Sequence, residues 1–286
     1  MSATGPSNWG RWGAEDERGA ANLFTPEKVL GALRHPTAGQ VYELGIEVNR
    51  NAPVGGERVP PMHFMTHDGG DFAALGRDDW GTADDYVVLA TQGTTHVDGL
   101  AHMWYGGQLY NGFSYREVRS SGAARLGLEK LGGLVTVAHL LDFTDRIGPN
   151  PGEITADDVD ALFADRGVRP APGDGLLFRT GWMEHRLRGP VDESTFPVVA
   201  PDFADWLATN DIALIGADNI AVEATGRRGV LPPLHRVVIR DLGLVMLELL
   251  HLREPAEAGV HSGLLVVAPL RISRGVGSPV NPLLIA

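Results

Sequence analysis

The chain has 286 residues, 43% of them apolar and 21% charged, with a formal net charge of −12. That composition supports a large buried core and excludes a disulfide-stapled miniprotein, a disordered chain or a membrane bundle. The acidic balance argues against a nucleic-acid surface, which needs clustered Lys and Arg, and the absence of cysteine removes disulfides, thiolate metal sites and a Cys nucleophile, leaving only N and O ligands for any metal.

The N-terminus lacks a basic region followed by an apolar core, and no apolar run is long enough to span a membrane, so a soluble cytoplasmic protein is expected. With no internal repeat, low-complexity tract or long linker, residues 1–286 read as a single domain, on which residues 1–40 pack as an N-terminal arm and helix. In chain order, 25–35 predicts a helix, with Thr25 as N-cap and Pro26 in its first turn. Residues 42–48 alternate like a strand. Residues 50–85, rich in Gly, Pro, Asp and His, predict a long lid-like loop or a hairpin excursion. A strand is expected to start at Tyr86 and run into the stretch from 92 to 102. Further strands are expected at 134–143, 175–182, 212–218, 244–250 and 264–272. Helices are expected at 155–167, where Thr155 and Asp158 bracket the start and Gly167 ends it, and at 201–210. The fold class is therefore α/β, with more strand than helix.

Residues 92–102 read Q-G-T-T-H-V-D-G-L-A-H. If the strand from Tyr86 continues, its period of two puts Gln92, Thr94, His96 and Asp98 on one face. The imidazole of His96 and the carboxylate of Asp98 then converge on one point. That pair suits Zn, Mn or Fe(II), and an open position on such an ion brings the pKa of bound water toward neutrality. His102, past a bend at Gly99, is placed to act on that water as general acid or base. A hydrogen-bonded core or surface pair is the plainer reading of H-x-D.

The same stretch resembles the H-x-G-T-H-x-D-x-P-x-H signature of the cyclase family, which includes bacterial kynurenine formamidases and isatin hydrolases. On that resemblance His96 and Asp98 fall on metal ligands and His102 on the general acid/base. The C-terminal segment L-H-R-V-V-I-R-D-L-G-L-V-M-L-E-L-L resembles the family's second ligand pair, giving His235 and Glu248. A buried Glu248 among leucines needs a partner, and a metal supplies one. The stretches S-N-W-G-R-W-G-A-E-D-E-R-G-A-A-N-L-F-T-P-E, R-T-G-W (179–182) and G-A-D-N-I-A-V-E (216–223) extend the likeness along nearly the whole chain. Two positions depart from it, because Gln92 stands where the family has its first histidine and Leu100 where it has proline. Gln92 still offers a carbonyl oxygen as a metal ligand, but an amide is a poorer ligand than imidazole, which favours a single Mn or Zn ion over a two-metal centre.

The resemblance implies a swivelling β/β/α domain with a mixed sheet, and a homodimer or homotetramer in which neighbouring chains close the pocket. It also implies hydrolysis of a small amide, formamide or cyclic amide/imide, with metal-activated water as nucleophile. A lactone substrate, a lyase or ring-forming cyclase using the metal to stabilise an enolate, and a catalytically silent metal- or ligand-binding protein are the alternatives. No G-x-S-x-G, P-loop or strand-linked G-x-G-x-x-G offers a competing chemistry. Trp104, two residues beyond His102, and Phe64, Trp80 and Tyr110 are candidate substrate walls, although such aromatics more often fill cores and interfaces. His63 and His67 are expected to be solvated, with a pocket-facing position as the alternative.

Overall fold

The computed structural model describes residues 5–55, 57–77, 79–223 and 233–286. The first helix, α1 (Pro26–Ala32), begins as the sequence dictates: the Thr25 hydroxyl accepts from the Lys28 amide at 3.2 Å, and Pro26 needs no partner for its missing N–H. Strand β1 (Val41–Glu43) stops short of the expected 42–48, because the chain runs closely past Asn281 at Gly45 and then turns toward Thr95, whose hydroxyl accepts from the Ile46 amide. Residues 50–85 take the hairpin form of the excursion, with β2 (Met62–His67), α2 (Gly69–Ala74) and β3 (Asp84–Val88).

The structure corrects the strand expected to run unbroken from Tyr86 to Asp98. Tyr86, Val87 and Val88 belong to β3, paired only with β2, and the chain then turns at Gly93, whose amide bonds the Ala90 carbonyl at 3.0 Å. His96–Asp98 is a separate strand, β4. The apolar run was sound as strand chemistry, but it pairs within the excursion instead of feeding the main sheet.

Beyond β4 the order is β5 (Leu134–Asp142), α3 (Ala156–Asp165), β6 (Gly175–Arg179), α4 (Trp182–Arg188), α5 (Phe203–Thr209), β7 (Leu214–Ala217), β8 (Val245–Glu248), β9 (Ser262–Val267), β10 (Gly277–Pro279) and β11 (Leu283–Ile285). The expected capping box is present in α3: the Thr155 amide donates to Asp158 at 2.8 Å and the Asp158 amide to Thr155 at 3.4 Å. Strand β6 ends before 182 because the buried Asp218 carboxylate accepts from the Thr180 and Gly181 amides at 3.0 and 2.7 Å, turning R-T-G-W into the start of α4. Gly181, at φ +85° with Ile147 against its Cα, admits no side chain there.

A nine-stranded mixed sheet runs in the order β1-β11-β9-β5-β6-β7-β8-β4-β10. Its centre, β5 through β8, is parallel, and every other pairing is antiparallel. Alternation along the strands sends Leu176, Phe178, Ile215 and Met246 to one core, where Phe163 of α3 and Phe203 and Trp206 of α5 cover them. Leu177, Leu214, Leu247 and Val97 go to a second core on the opposite face. The N-terminal arm closes one end, where the Trp9 indole donates to the Arg240 carbonyl at 2.7 Å and the Asn8 amide to that of Leu242 at 2.8 Å.

Tyr110, offered above as a substrate wall, belongs to this core: it is fully buried, lies against Gly243 and donates its hydroxyl to Asp16 at 3.1 Å. Among the described residues no helix is long and apolar enough to cross a membrane.

Candidate metal centre

Strand β4 lies between β8 and β10, with Glu248 directly opposite His96 and Met246 opposite Asp98. Opposed residues of an antiparallel pair project to the same side, as do residues two apart along a strand. His96, Asp98 and Glu248 must therefore share a face, while Val97 and Leu247 enter the core behind them. One ligand atom from each of the three lies within 4.8 Å of the others, and all three are buried. His96 Nε2 is 3.5 Å from Glu248 Oε2 and 3.7 Å from Asp98 Oδ1.

The tautomers follow from the remaining hydrogen bonds. His96 Nδ1 donates to the Thr94 carbonyl at 2.6 Å, which leaves Nε2 as a lone pair aimed into the cluster. His235 stands at the end of a short helix, Pro233–His235, that runs into a π-helical turn over Arg236–Asp241. Its Nδ1 donates to Glu223 at 2.9 Å, and its Nε2 meets Glu248 Oε1 at 3.0 Å and Asp98 Oδ2 at 3.9 Å. Burial works against the charged form of His235, yet the bonds to Glu223 and Glu248 outweigh it and push its pKa up to about 10. A proton therefore sits on Nε2 against Glu248, and ligation by His235 would release it.

The electrostatics of the two carboxylates differ. Burial opposes ionisation of both, but the His235 bond holds Glu248 well below the usual carboxylate range, while Asp98 is pushed above it. Both oxygens of Asp98 are buried without a hydrogen-bond partner. An unsatisfied carboxylate in such surroundings costs several kcal/mol, on the order of the penalty for burying a polar group unpaired. A cation is the partner that this geometry lacks. Imidazole plus two carboxylates is a donor set for a divalent ion of the borderline or hard class, so the residues present fit the metal that the sequence implied.

His102 sits on the rim: its Nε2 is 3.9 Å from Asp98 Oδ1 and its side chain is 26% exposed. The turn that puts it there is closed by the bond from its own amide to the Gly99 carbonyl at 2.9 Å, while the Gly99 amide is tied to Val276. Leu100, in place of proline, is buried and holds the bend by packing. Burial, helped by the positive charge of His235, lowers His102 to about 4. Its imidazole is therefore neutral at pH 7.

Gln92 is buried with its side chain against Gly277, the β10 residue paired with Asp98, and its Oε1 accepts from the Thr91 hydroxyl at 2.7 Å. Its Nε2 has no partner. The structure thus gathers His96, Asp98 and Glu248, with His235 and His102 at the edge and Gln92 on the same sheet face. Of the aromatic candidates, Trp104 is half-exposed and stacks on Tyr115 with ring centres 6.0 Å apart. Phe64 and Trp80 lie exposed on the excursion, Trp80 against Phe72. His63 and His67 are exposed there too, facing Asp85 and Asp84, in keeping with the solvated reading.

Sequence reasoning missed Glu223, which accepts from the Leu234 and His235 amides at 2.7 Å each as well as from the His235 ring. Its signal was present, since Glu223 closes the stretch G-A-D-N-I-A-V-E. Backbone strain gathers beside these residues: Ala221, Val222 and Leu249, flanking Glu223 and Glu248, all adopt positive φ of 57–68°. Such conformations cost about 1–3 kcal/mol each in non-glycine residues and collect at functional sites.

A buried His–Asp–Glu cluster at the end of a sheet, with a neutral histidine over it, is the kind of centre that metal-dependent hydrolases carry. The comparisons with known proteins agree with that class. The pattern of the family described as "Putative cyclase" matches residues 35–224, and the chain belongs to that family. It is 27% identical over 214 residues to an isatin hydrolase of Roseibium aggregatum, covering 70% of this chain and 73% of that one. A crystal structure titled as a novel cyclase superposes with a TM-score of 0.89 at 33% identity, over 99% of this chain and 100% of the other. Isatin hydrolase A from Ralstonia solanacearum shares the fold at a TM-score of 0.64 and 21% identity, covering 91% of this chain and 97% of its own.

Proposed function

We propose that the protein is a metal-dependent hydrolase that opens or cleaves a small amide, whether a formamide or a cyclic amide or imide. The observation that carries this reading is the Asp98 carboxylate, buried and unbonded between His96 and Glu248. Family membership and the likeness to an isatin hydrolase support the hydrolytic class. His96, Asp98 and Glu248 would hold the ion, Mn or Zn, with His235 and Gln92 as the further candidate ligands. When bound, such an ion supplies Lewis acidity and lowers the pKa of water. The chain's own residues do the rest. His102 Nε2, neutral at pH 7, accepts the proton of the attacking water and returns it to the leaving nitrogen as the C–N bond breaks. Glu223 keeps the His235 ring oriented, and the Thr94 carbonyl does the same for His96.

The test is metal analysis of the purified protein, followed by a panel of formanilide, a cyclic imide, isatin and a lactone in water enriched in oxygen-18. Hydrolysis places one solvent oxygen in the acid product. Ring closure or elimination without label would transfer the site to the lyase or cyclase reading, and retained metal with no turnover of any amide would remove the amide assignment.

The reading includes a homo-oligomer, for which the excursion is the support. Phe64 pairs with Tyr86 and Met62 with Val88, so all four lie on one face of a two-stranded ribbon, and each is 42–66% exposed. A lone hairpin with bare apolar side chains is marginal in water and marks a contact surface. The expected result of light scattering is a dimer or tetramer that the double substitution Phe64→Asp, Tyr86→Asp reduces in mass. A monomeric wild type would overturn it.

A further inference from the structure

Gln92 meets the centre through its nitrogen. Its Oε1 is taken up by the Thr91 hydroxyl at 2.7 Å, and its Nε2 is left buried with no hydrogen-bond partner. A Cβ added at Gly277 would fall onto that Nε2 and lie 2.8 Å from the amide carbon, so the end of the side chain fills the space that a residue at 277 would claim. The φ of Gly277 lies outside the left-handed region, so what this glycine supplies is room. Gly277 is the β10 partner of Asp98. Opposed residues of an antiparallel pair stand about 4.5–5.5 Å apart at Cα and project to the same side. The amide therefore sits beside Asp98, on the face that also carries His96 and Glu248. It makes no bond to either oxygen of Asp98. Turned over, it would set its own oxygen against a carboxylate, acceptor to acceptor, so the neighbours favour the arrangement with nitrogen inward.

An amide N–H₂ cannot ligate a cation, whereas it can hold an oxygen that is gaining negative charge. Leaving such a donor buried and unpaired is costly unless an acceptor arrives. We propose that Gln92 is a catalytic hydrogen-bond donor to the carbonyl oxygen of the substrate, in place of the metal ligand that its position in the sequence suggested. The inference rests on the hydrolytic reading and deepens it. As water adds to the carbonyl carbon, the C=O electron pair moves onto the oxygen, and the bond from Nε2 to that oxygen strengthens. When the C–N bond breaks, the pair returns to re-form C=O. Gln92 gives up no proton at any point, and proton transfer between the water and the leaving nitrogen stays with His102.

The test separates holding the metal from holding the oxygen. Affinity for Mn or Zn is measured by calorimetry on wild type, Gln92→Leu and Gln92→Glu, and formate is then titrated into each metal-loaded protein, with melting temperature as a control for folding. Gln92→Leu keeps the volume and loses both polar atoms. It is expected to bind metal within about threefold of wild type and formate about 10-fold or more weaker, as loss of a bond to a charged acceptor predicts. Gln92→Glu keeps an oxygen for the ion and puts an anion where the donor was, so metal is retained and formate is lost. Gly277→Ala, which pushes the unchanged amide off its place, should repeat the Gln92→Leu pattern in milder form. Metal affinity that falls further in Gln92→Leu would make Gln92 a ligand or a brace for Asp98 and overturn the inference. Formate affinity equal to wild type, or no formate binding to the wild type, overturns it as well. These arms need no catalysis: a wild type that hydrolyses no amide, yet loses formate on Gln92→Leu, faults the hydrolytic reading and leaves the donor standing. With turnover in hand, Gln92→Leu should lower kcat about 10²- to 10³-fold while KM moves no more than a few-fold. An unchanged kcat would take the carbonyl oxygen away from Gln92.

Discussion

Asp98→Asn is expected to abolish metal binding and turnover while leaving the metal-free protein at least as stable as the wild type. The two halves of this result pull in opposite directions for one physical reason. Asp98 is 2% exposed and neither carboxylate oxygen has a hydrogen-bond partner, so in the metal-free chain its charge is a burden that burial has already pushed toward protonation. Asparagine keeps the shape, removes the charge and brings an N–H₂ that Glu248 can accept from. Metal-free melting is therefore expected to stay level or rise.

With an ion present the balance inverts. A ligand held at a thousand times its dissociation constant stabilises the native state by about 4 kcal/mol, which for a chain of this size raises melting by roughly 5–15 °C. The wild type should show that rise on loading with Mn or Zn, and Asp98→Asn should show none. Turnover should fall at least about 10³-fold, since both the Lewis acid and the acidified water go with the ion. Differential scanning calorimetry with and without metal, next to metal analysis, reads both halves. A metal-dependent rise surviving in Asp98→Asn would show that the ion sits elsewhere.

How much of this was legible in the sequence depended on range. Local chemistry was readable: the Thr25 and Thr155 caps, the β-branched run at 134–142 and the short apolar runs of β7 and β8 need only neighbours within a few residues. The pair His96 and Asp98 was readable for the same reason, because a period of two holds even in a strand of three residues. The run from Tyr86 was not, because an apolar β-branched segment says strand without saying which strand it pairs with, and its partner was 62–67 instead of the main sheet. Tyr110 failed for a similar reason, since only tertiary packing against Gly243 and Asp16 distinguishes a core tyrosine from a pocket wall. Glu248 was named only through the likeness of its segment to the family, because no spacing rule reaches it: the register that sets it opposite His96 joins residues more than 150 apart in the chain. Glu223 does its work through His235, and a residue that acts through another leaves little trace in spacing.

His102→Ala is expected to lower kcat by about 10²- to 10⁴-fold, the range that a positioned proton-transfer group contributes, while metal content and the metal-dependent rise in melting stay at wild-type values. The separation follows from position. The ligand cluster closes without His102, which reaches Asp98 only at 3.9 Å and keeps 26% of its side chain open toward solvent. It therefore stands at the open edge of the cluster, and gives up little holding power when removed. Its neutral state at pH 7 comes from the protein packed around the rest of the ring: burial above all disfavours an imidazolium, so the ring keeps a lone pair for the attacking water's proton. KM should move by no more than a few-fold, because the lost interaction belongs to the transition state. Steady-state kinetics paired with metal analysis of the same preparation decides the matter. Lost metal together with lost turnover would make His102 a ligand, and unchanged turnover would take the proton away from it altogether; only retained metal with lost kcat leaves it as the group that moves the proton between water and leaving nitrogen.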